Sequence, residues 1–318
     1  MKLLIVTQAV DQDDPILGFF HRWIEEFAKH CEKVTVICLR EWKHALPKNV
    51  SVYSLGKDGK ERESNATTTM IYHSGLRMRY SSVRYSVKFL SLVWRLHRDY
   101  NAVFVHMNPE YVVLGGLLWR LWSKRIGLWY VHKSVTFPLR LATLLTHVVF
   151  TASPESFRLS SKKVRVMGHG IDTDFWKPDP SIRRGDHWLS VGRLMPSKRH
   201  DRAIRLAHGK GVPLRIAGAG PECERLETLA RELGADVVFL GSCKQETLRD
   251  EYRRAVRLVH RSETGSLDKV VLEAAACGCA VDSTDLAISK LPLSQEYVRT
   301  HHSLQSLIPR ITEAYDAV

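Results

Sequence analysis

An α/β fold of two Rossmann-like domains facing across a cleft is what this sequence predicts, and three observations carry it. Short apolar strand-like runs alternate with helix-like runs along the chain, the pattern of a parallel doubly wound sheet. The alternation is broken once, at the polar, turn-rich stretch Asp179-Pro-Ser-Ile-Arg-Arg-Gly-Asp186, and then restarts. The length of 318 residues suits two domains, each able to bury its own core.

In the first half, strands are expected at Leu3–Thr7, Lys33–Cys38, Ser51–Ser54, Ala102–His106, Gly127–Val131 and His147–Thr151. Helices fall between them at Phe19–Lys29, Val83–Arg98, Glu110–Ser123 and Phe137–Leu145. The polar stretch Gly56 to Asn65 reads as a loop. The second half restarts with strands at Trp188–Val191, Pro213–Ala217, Asp236–Leu240 and Leu258–His260. Its helices are Arg199–His208, Pro221–Leu233, Thr247–Ala255 and Lys269–Cys277. The expected organisation is a first domain over 1–178, a linker over 179–186, a second domain over 187–300 and a closing helix over 301–318.

Composition narrows the class. Apolar content of 44% and charged content of 25% are ordinary for a globular protein. The run Tyr111-Val-Val-Leu-Gly-Gly-Leu-Leu-Trp119 is cut by Arg120, short of the roughly 20 residues a membrane span needs. The chain enters directly as a strand, without the features of a signal peptide, so a cytoplasmic location is expected. Six cysteines show no pairing framework, and Cys277-Gly-Cys279 is too close for a relaxed disulfide or a usual zinc pair; reduced, buried thiols fit better. The net charge of +13 lacks any zinc spacing, basic zipper or RNA-binding signature, so no nucleic-acid partner is expected. Instead, Leu76 to Arg98 carries Arg77, Arg79, Arg84, Lys88, Arg95 and Arg98 without an acidic residue, interleaved with aromatics that include Phe89 and Trp94. A basic, amphipathic stretch of this kind suits an anionic membrane surface, peripheral at its inner face; the competing reading is a core helix with solvated cations.

The chemistry concentrates at two strand-to-helix junctions. Arg193 and Lys198 follow the strand ending at Val191, and ligands of open α/β sheets bind at the carboxyl ends of strands. Two cations there suggest a phosphate-bearing ligand. Glu273, in the small-residue helix Leu272-Glu-Ala-Ala-Ala-Cys-Gly278, is a plausible anchor for hydroxyl groups. Each alone could be a surface ion pair or a buried helix glutamate; together they suit a nucleotide-sugar.

With these residues in place, the chain resembles a retaining glycosyltransferase of the GT-B architecture, in family 4, which uses nucleotide-diphosphate sugars. The resemblance runs through Lys2-Leu-Leu-Ile-Val-Thr7, the Gly18 loop, Trp129-Tyr-Val-His132, Thr151-Ala-Ser153, Gly168-His-Gly-Ile-Asp-Thr-Asp-Phe-Trp-Lys-Pro178 and Val191-Gly-Arg-Leu194 with Lys198. It continues through Ile216-Ala-Gly-Ala-Gly-Pro221, Val238-Phe-Leu-Gly241 and Asp268-Lys-Val-Val-Leu-Glu-Ala-Ala-Ala-Cys-Gly278. It implies a retaining transfer to a saccharide or lipid-linked acceptor, with no cofactor and no metal, in which Arg193 and Lys198 take the donor diphosphate. It gives Glu273 the ribose hydroxyls, Gly18 a place against the donor phosphate and the acceptor, and His132 contact with the reacting sugar. Asp268 and Lys269 form a charged pair in a variant donor loop.

Two departures accompany the resemblance. The first glutamate of the family's paired motif should stand where this chain has Gly265, and Glu263 or Asp268 could serve in its place, Asp268 being otherwise a helix N-cap. After Val281-Asp-Ser-Thr-Asp285 the chain moves quickly to its closing segment, so an abridged second domain is expected. These departures leave open a degenerate GT-B protein that binds nucleotide or a partner without turnover; an epimerase of the same fold needs cleft carboxylates that are not identifiable in this sequence. Asp172-Thr-Asp174 spells a metal-dependent Asp-X-Asp pattern but sits in a turn, where a structural role is expected. His106 ends a strand and is a further candidate for acceptor contact, whereas His301-His302 is expected at the surface.

Overall fold

The structure is a computed structural model of the chain, describing residues 1–14, 17–57, 80–263, 265 and 267–317, with residues 80–82 as backbone only. It divides into two compact units, one formed by residues 1–57, 80–170 and 304–317, the other by residues 171–303.

The first unit is built on a seven-stranded, wholly parallel sheet of order β3-β2-β1-β4-β5-β6-β7. Its strands are β1 (Lys2–Val10), β2 (Lys33–Glu41), β3 (Val50–Ser54), β4 (Ala102–His106), β5 (Arg125–Trp129), β6 (Val148–Thr151) and β7 (Val164–Val166). The central strands β1 and β4 are almost continuously apolar because helices cover both faces of the sheet. Helix α1 (Gly18–His30) packs on one face, with Phe20, Trp23, Ile24 and Phe27 in the core. Helices α2 (Tyr80–Arg95), α3 (Pro109–Leu121) and α4 (Phe137–Leu145) cover the other, burying Phe89, Val93, Val112, Trp119 and Leu139.

The second unit is a five-stranded parallel sheet of order β10-β9-β8-β11-β12. Its strands are β8 (Trp188–Val191), β9 (Leu214–Ala217), β10 (Val237–Gly241), β11 (Arg257–His260) and β12 (Ala280–Ser283). Helices α5 (His200–Gly209) and α6 (Cys223–Leu233) share a core with Leu214, Ile216 and Val259. Helices α7 (Gln245–Arg254) and α8 (Lys269–Ala276) share another with Leu189 and Leu258, while α9 (Leu286–Ser289) and α10 (Gln295–His302) follow β12.

Several boundaries differ from those expected. The units divide at 170/171, and the stretch 179–186 lies against the second unit rather than hanging between domains. Arg184 donates to the carbonyls of Ala255 (2.6 Å) and Gly278, and the Gly185 amide donates to Arg254 (2.8 Å), which explains why a polar segment is ordered there. The closing helix begins at Leu304 as α11 (Leu304–Asp316) and joins the first unit. It buries Leu307, Ile308, Ile311 and Tyr315 in the core that contains α1, and the Tyr315 hydroxyl donates to the Val103 carbonyl at 2.7 Å. Gly127 of β5 makes room for it, since a Cβ there would lie 2.3 Å from the Tyr315 hydroxyl. After Asp285, where the abridgement is expected, the chain forms α9 and α10 before the closing helix. The second histidine of His301-His302 is buried beside Tyr297 rather than at the surface.

Candidate functional site

The second sheet reverses its winding at β8, which has β9 on one side and β11 on the other. Loops leaving the carboxyl ends of β8 and β11 therefore diverge and leave a crevice, the usual ligand position of such sheets. The loop after β8 carries Arg193 and Lys198, and the loop after β11 leads through Asp268 into α8.

The β8 loop is fixed by backbone contact with the loop after β9. The Gly192 amide donates to the Ala217 carbonyl at 3.0 Å, Leu194 to Ala219 at 2.9 Å and Glu222 to Leu194 at 3.0 Å. Gly218, at φ +149°, sits so close that a Cβ would fall 1.9 Å from the Gly192 carbonyl oxygen. Only glycine permits that approach. The short helical turn Pro196–Lys198 and the left-handed Arg199 (φ +51°) then deliver the chain to α5. Under the loop, His200 is buried with Nδ1 2.9 Å from the Ser190 hydroxyl, and burial pushes its pKa down to about 4.

Asp268 is the hub of the crevice. Its Oδ2 accepts from Lys198 Nζ at 2.6 Å and from His260 Nε2 at 2.9 Å, while His260 Nδ1 lies 3.0 Å from the Ser283 hydroxyl. An ionised carboxylate only accepts, so His260 carries its proton on Nε2, and in the neutral ring Nδ1 takes the Ser283 hydrogen. Burial pushes the Asp268 carboxyl upward, but the His260 hydrogen bond and the Lys198 charge outweigh it and hold the pKa at about 2. Asp268 stands at the N-cap position of α8 yet makes no side-chain capping bond. Its carboxylate is committed across the crevice, which separates it from the simple N-cap reading.

One turn into α8, buried Glu273 lies 3.6 Å from Lys269 Nζ. Burial raises its pKa, opposed by the Lys269 charge. Arg193 is exposed, with no side-chain ion pair or hydrogen bond among the described residues. Glu263, one of the candidates to replace the missing glutamate at Gly265, is exposed and tied to Arg199 (3.1 Å) and Arg202 (2.8 Å). Gly265 itself donates its amide to Asp285 at 2.7 Å; Thr264 and Ser266 lie outside the described residues.

In the first unit the winding reverses between β1 and β4. Gly18 opens α1 after β1, but its amide donates to the Asp14 carbonyl at 2.9 Å, so that N–H is not available to a phosphate. His132 follows β5 as an exposed residue whose Nδ1 accepts from the Ser134 amide at 3.1 Å; partial burial lowers its pKa, favouring the neutral ring. His106, the further candidate for acceptor contact, faces the core of the first unit. It is buried, stacked on Phe20 at a 4.0 Å centroid distance, with Nδ1 3.4 Å from the Thr7 hydroxyl. Asp172 Oδ1 accepts from the amides of Asp174 (3.1 Å) and Phe175 (3.3 Å), a turn-forming role. All six cysteines are free; Cys31, Cys38, Cys277 and Cys279 are buried as expected, whereas Cys223 and Cys243 are half-buried.

The structure thus brings Lys198, Asp268, Lys269 and Glu273 to the carboxyl edge of one sheet, on loops that include Arg193. His132 and Gly18 lie in the other unit. Sequence reasoning missed His260, although its place as the last residue of a strand is the same signal that singled out His106.

Residues 174–289 match the family described as glycosyl transferases group 1. The chain is 32% identical over 135 residues to the phosphatidylinositol N-acetylglucosaminyltransferase gpi3 subunit of Schizosaccharomyces pombe, covering 40% of this chain and 30% of that protein. It is 33% identical over 156 residues to the D-inositol 3-phosphate glycosyltransferase of Mycobacteroides abscessus, covering 43% and 34%. The chain therefore spans about a third of the length of the curated relatives it matches. Over all of both chains its fold is similar to Anabaena HepE, solved in complex with UDP and glucose, with a TM-score of 0.70 at 15% identity. The two parallel α/β sheets thus share the GT-B fold of these neighbours, and the crevice residues of the second sheet lie within the stretch that matches the glycosyl transferases group 1 family.

Proposed function

We propose that this chain is a glycosyltransferase that moves a sugar from a nucleoside-diphosphate donor to a saccharide or lipid-linked acceptor, with retention and without a metal ion or other cofactor. The observation that carries the reading is the pairing of Arg193 and Lys198 on the β8 loop with Glu273 in α8 at the switch point of the second sheet. Cleavage of the donor leaves charge on a diphosphate oxygen, and fixed cations in a dry crevice stabilise that charge as it grows. Arg193 offers a planar fork to two oxygens and Lys198 a movable point charge. Asp268 keeps Lys198 within the crevice, and Glu273 accepts from the ribose hydroxyls. His132, neutral and oriented by Ser134, contacts the reacting sugar. The UDP named for the Anabaena neighbour supports this donor class.

A second reading, nucleotide binding without turnover, is favoured by two observations: the donor glutamate position is Gly265, and Asp268 already neutralises Lys198. Incubation with UDP-, GDP- and ADP-sugars separates the two. Transfer or donor hydrolysis that persists in EDTA, with the product anomer matching the donor by proton NMR coupling, supports the first reading. Nucleotide binding with no turnover of any donor supports the second. Loss of activity in EDTA with recovery on Mn²⁺ refutes the cation clamp, and an inverted anomer refutes retention.

No described helix is long and apolar enough to cross a membrane. A lipid-linked acceptor would bring a cytoplasmic enzyme to the inner face of the membrane, the role expected of Leu76–Arg98. Of that segment, Arg77 and Arg79 lie outside the described residues. Phe89, one of the aromatics interleaved in that segment, is wholly buried in the core of the first unit.

A further inference from the structure

Phe89 is inside, so the outward apolar side chains of α2 are Val83, Val87 and Trp94. More apolar side chains face outward next door. In α3, Leu117 and Leu121 are 70% and 76% exposed; in α4, Phe137 and Leu144 are 78% and 71% exposed. Leu117 and Leu121 stand four residues apart, with Leu114 completing the row, so they share one stripe of α3. The two helices pack closely because α3 has Gly116 where a Cβ would press to 3.0 Å against Leu145 of α4. Trp94 of α2, 61% exposed, extends this surface by meeting Trp122 beyond the end of α3 at a 5.5 Å centroid distance. The inward sides of all three helices are already committed to the core. The outward side is therefore an apolar ridge that the fold of this unit does not cover.

Charge identifies what covers it. From residue 80 to residue 166 the chain has thirteen Lys or Arg against only Asp99, Glu110 and Glu155, so this stretch holds ten of the chain's thirteen net positive charges. Arg84 and Lys88 of α2 and Arg140 of α4 are exposed and make no ion pair among the described residues. An apolar ridge flanked by unneutralised cations is complementary to a surface with anionic groups above a hydrocarbon layer. We infer that the outward face of α2, α3 and α4 is a docking surface for anionic phospholipid, with Leu117, Leu121, Phe137 and Leu144 entering the headgroup boundary and Arg84, Lys88 and Arg140 meeting lipid phosphates. The inference does not depend on glycosyl transfer, because it concerns a surface of the first unit alone.

Cosedimentation of the full chain with vesicles tests it. Binding is expected to phosphatidylglycerol mixed into phosphatidylcholine and not to phosphatidylcholine alone. It should weaken as salt rises from about 0.1 M to about 1 M, where the Debye length falls from about 10 Å to about 3 Å. The charge variant Arg84→Gln/Lys88→Gln/Arg140→Gln should bind about 100-fold more weakly, since each cation near an anionic surface contributes roughly fivefold. Leu117→Ser/Leu121→Ser/Leu144→Ser should weaken binding at least about tenfold. Leu286→Ser, a 75%-exposed leucine of the second unit, should not change it. Circular dichroism checks that each variant is folded, and the charge variant decides alone if the serine variant is not. Equal binding to neutral and anionic vesicles, no binding, or serine-variant binding like the parent overturns the inference. Concentration-dependent dimerisation that Leu117→Ser abolishes, without vesicle binding, overturns it in favour of an interface between copies.

Discussion

Replacing Asp268 with asparagine removes the charge that holds Lys198 and His260 while keeping the shape of the side chain. The folded pKa of about 2 against an ordinary 3.8 sets the scale of the loss. At 1.36 kcal/mol per pKa unit, the ionised carboxylate contributes about 2 kcal/mol to stability at neutral pH. Because the pKa is depressed on folding, that contribution is complete above about 4 and is lost as pH falls through about 2. Asp268→Asn should therefore lower stability by about 2 kcal/mol at pH 7, the deficit shrinking to little at pH 2. Lys198 retains some exposure, so it can turn toward solvent and spare the larger cost of an uncompensated buried charge. Urea unfolding followed by tryptophan fluorescence, with Trp176 and Trp188 reporting from the second unit, measures the difference across pH. An unchanged midpoint at pH 7, or a deficit that persists undiminished at pH 2, would refute the assignment of Asp268 as an ionised hub.

Arg193→Ala and Lys198→Ala should each slow glycosyl transfer by about two to four powers of ten, measured as kcat/KM with the best donor of the nucleotide-sugar screen. Rates within a few fold of the parent would remove both from the site. Gly218→Ala should cost about 3 kcal/mol or more in urea unfolding, because its φ of +149° and the 1.9 Å approach to the Gly192 carbonyl leave no room for a Cβ. His200 takes up a proton on unfolding from an ordinary pKa near 6.5 but in the folded chain only near 4. Stability should accordingly fall by about 3 kcal/mol as pH drops from 6.5 to 4, a slope that His200→Gln would flatten.

The α/β class was legible because buried parallel strands such as Leu3–Val6 and Val103–Val105 are short apolar runs, rich in β-branched residues, that alternate with longer amphipathic stretches. Lys198 and Glu273 were legible because they stand at or just beyond strand-to-helix junctions. The Asp268 network was not, since Lys198 and Asp268 are separated by 70 residues and meet only through the adjacency of β8 and β11. Strands β7 and β12 escaped notice because Val-Arg-Val and Ala-Val-Asp-Ser are short and carry charge. Phe89 and Trp94 lie five positions apart on one amphipathic helix, yet one is core and the other surface. Composition alone could not tell which face the sheet would take.

The return of α11 to the first unit bears on how the chain is made. A ribosome delivers residues in order, and the core around Trp23, Phe104 and Phe150 lacks Leu307, Ile311 and Tyr315 until the final helix has emerged. The second unit, continuous over residues 171–303, is synthesised in full before that happens. The first sheet thus waits through the whole of the second, with the cavity meant for Tyr315 open beside Gly127, and a nascent chain stalled anywhere before Leu304 leaves its earliest strands incompletely packed.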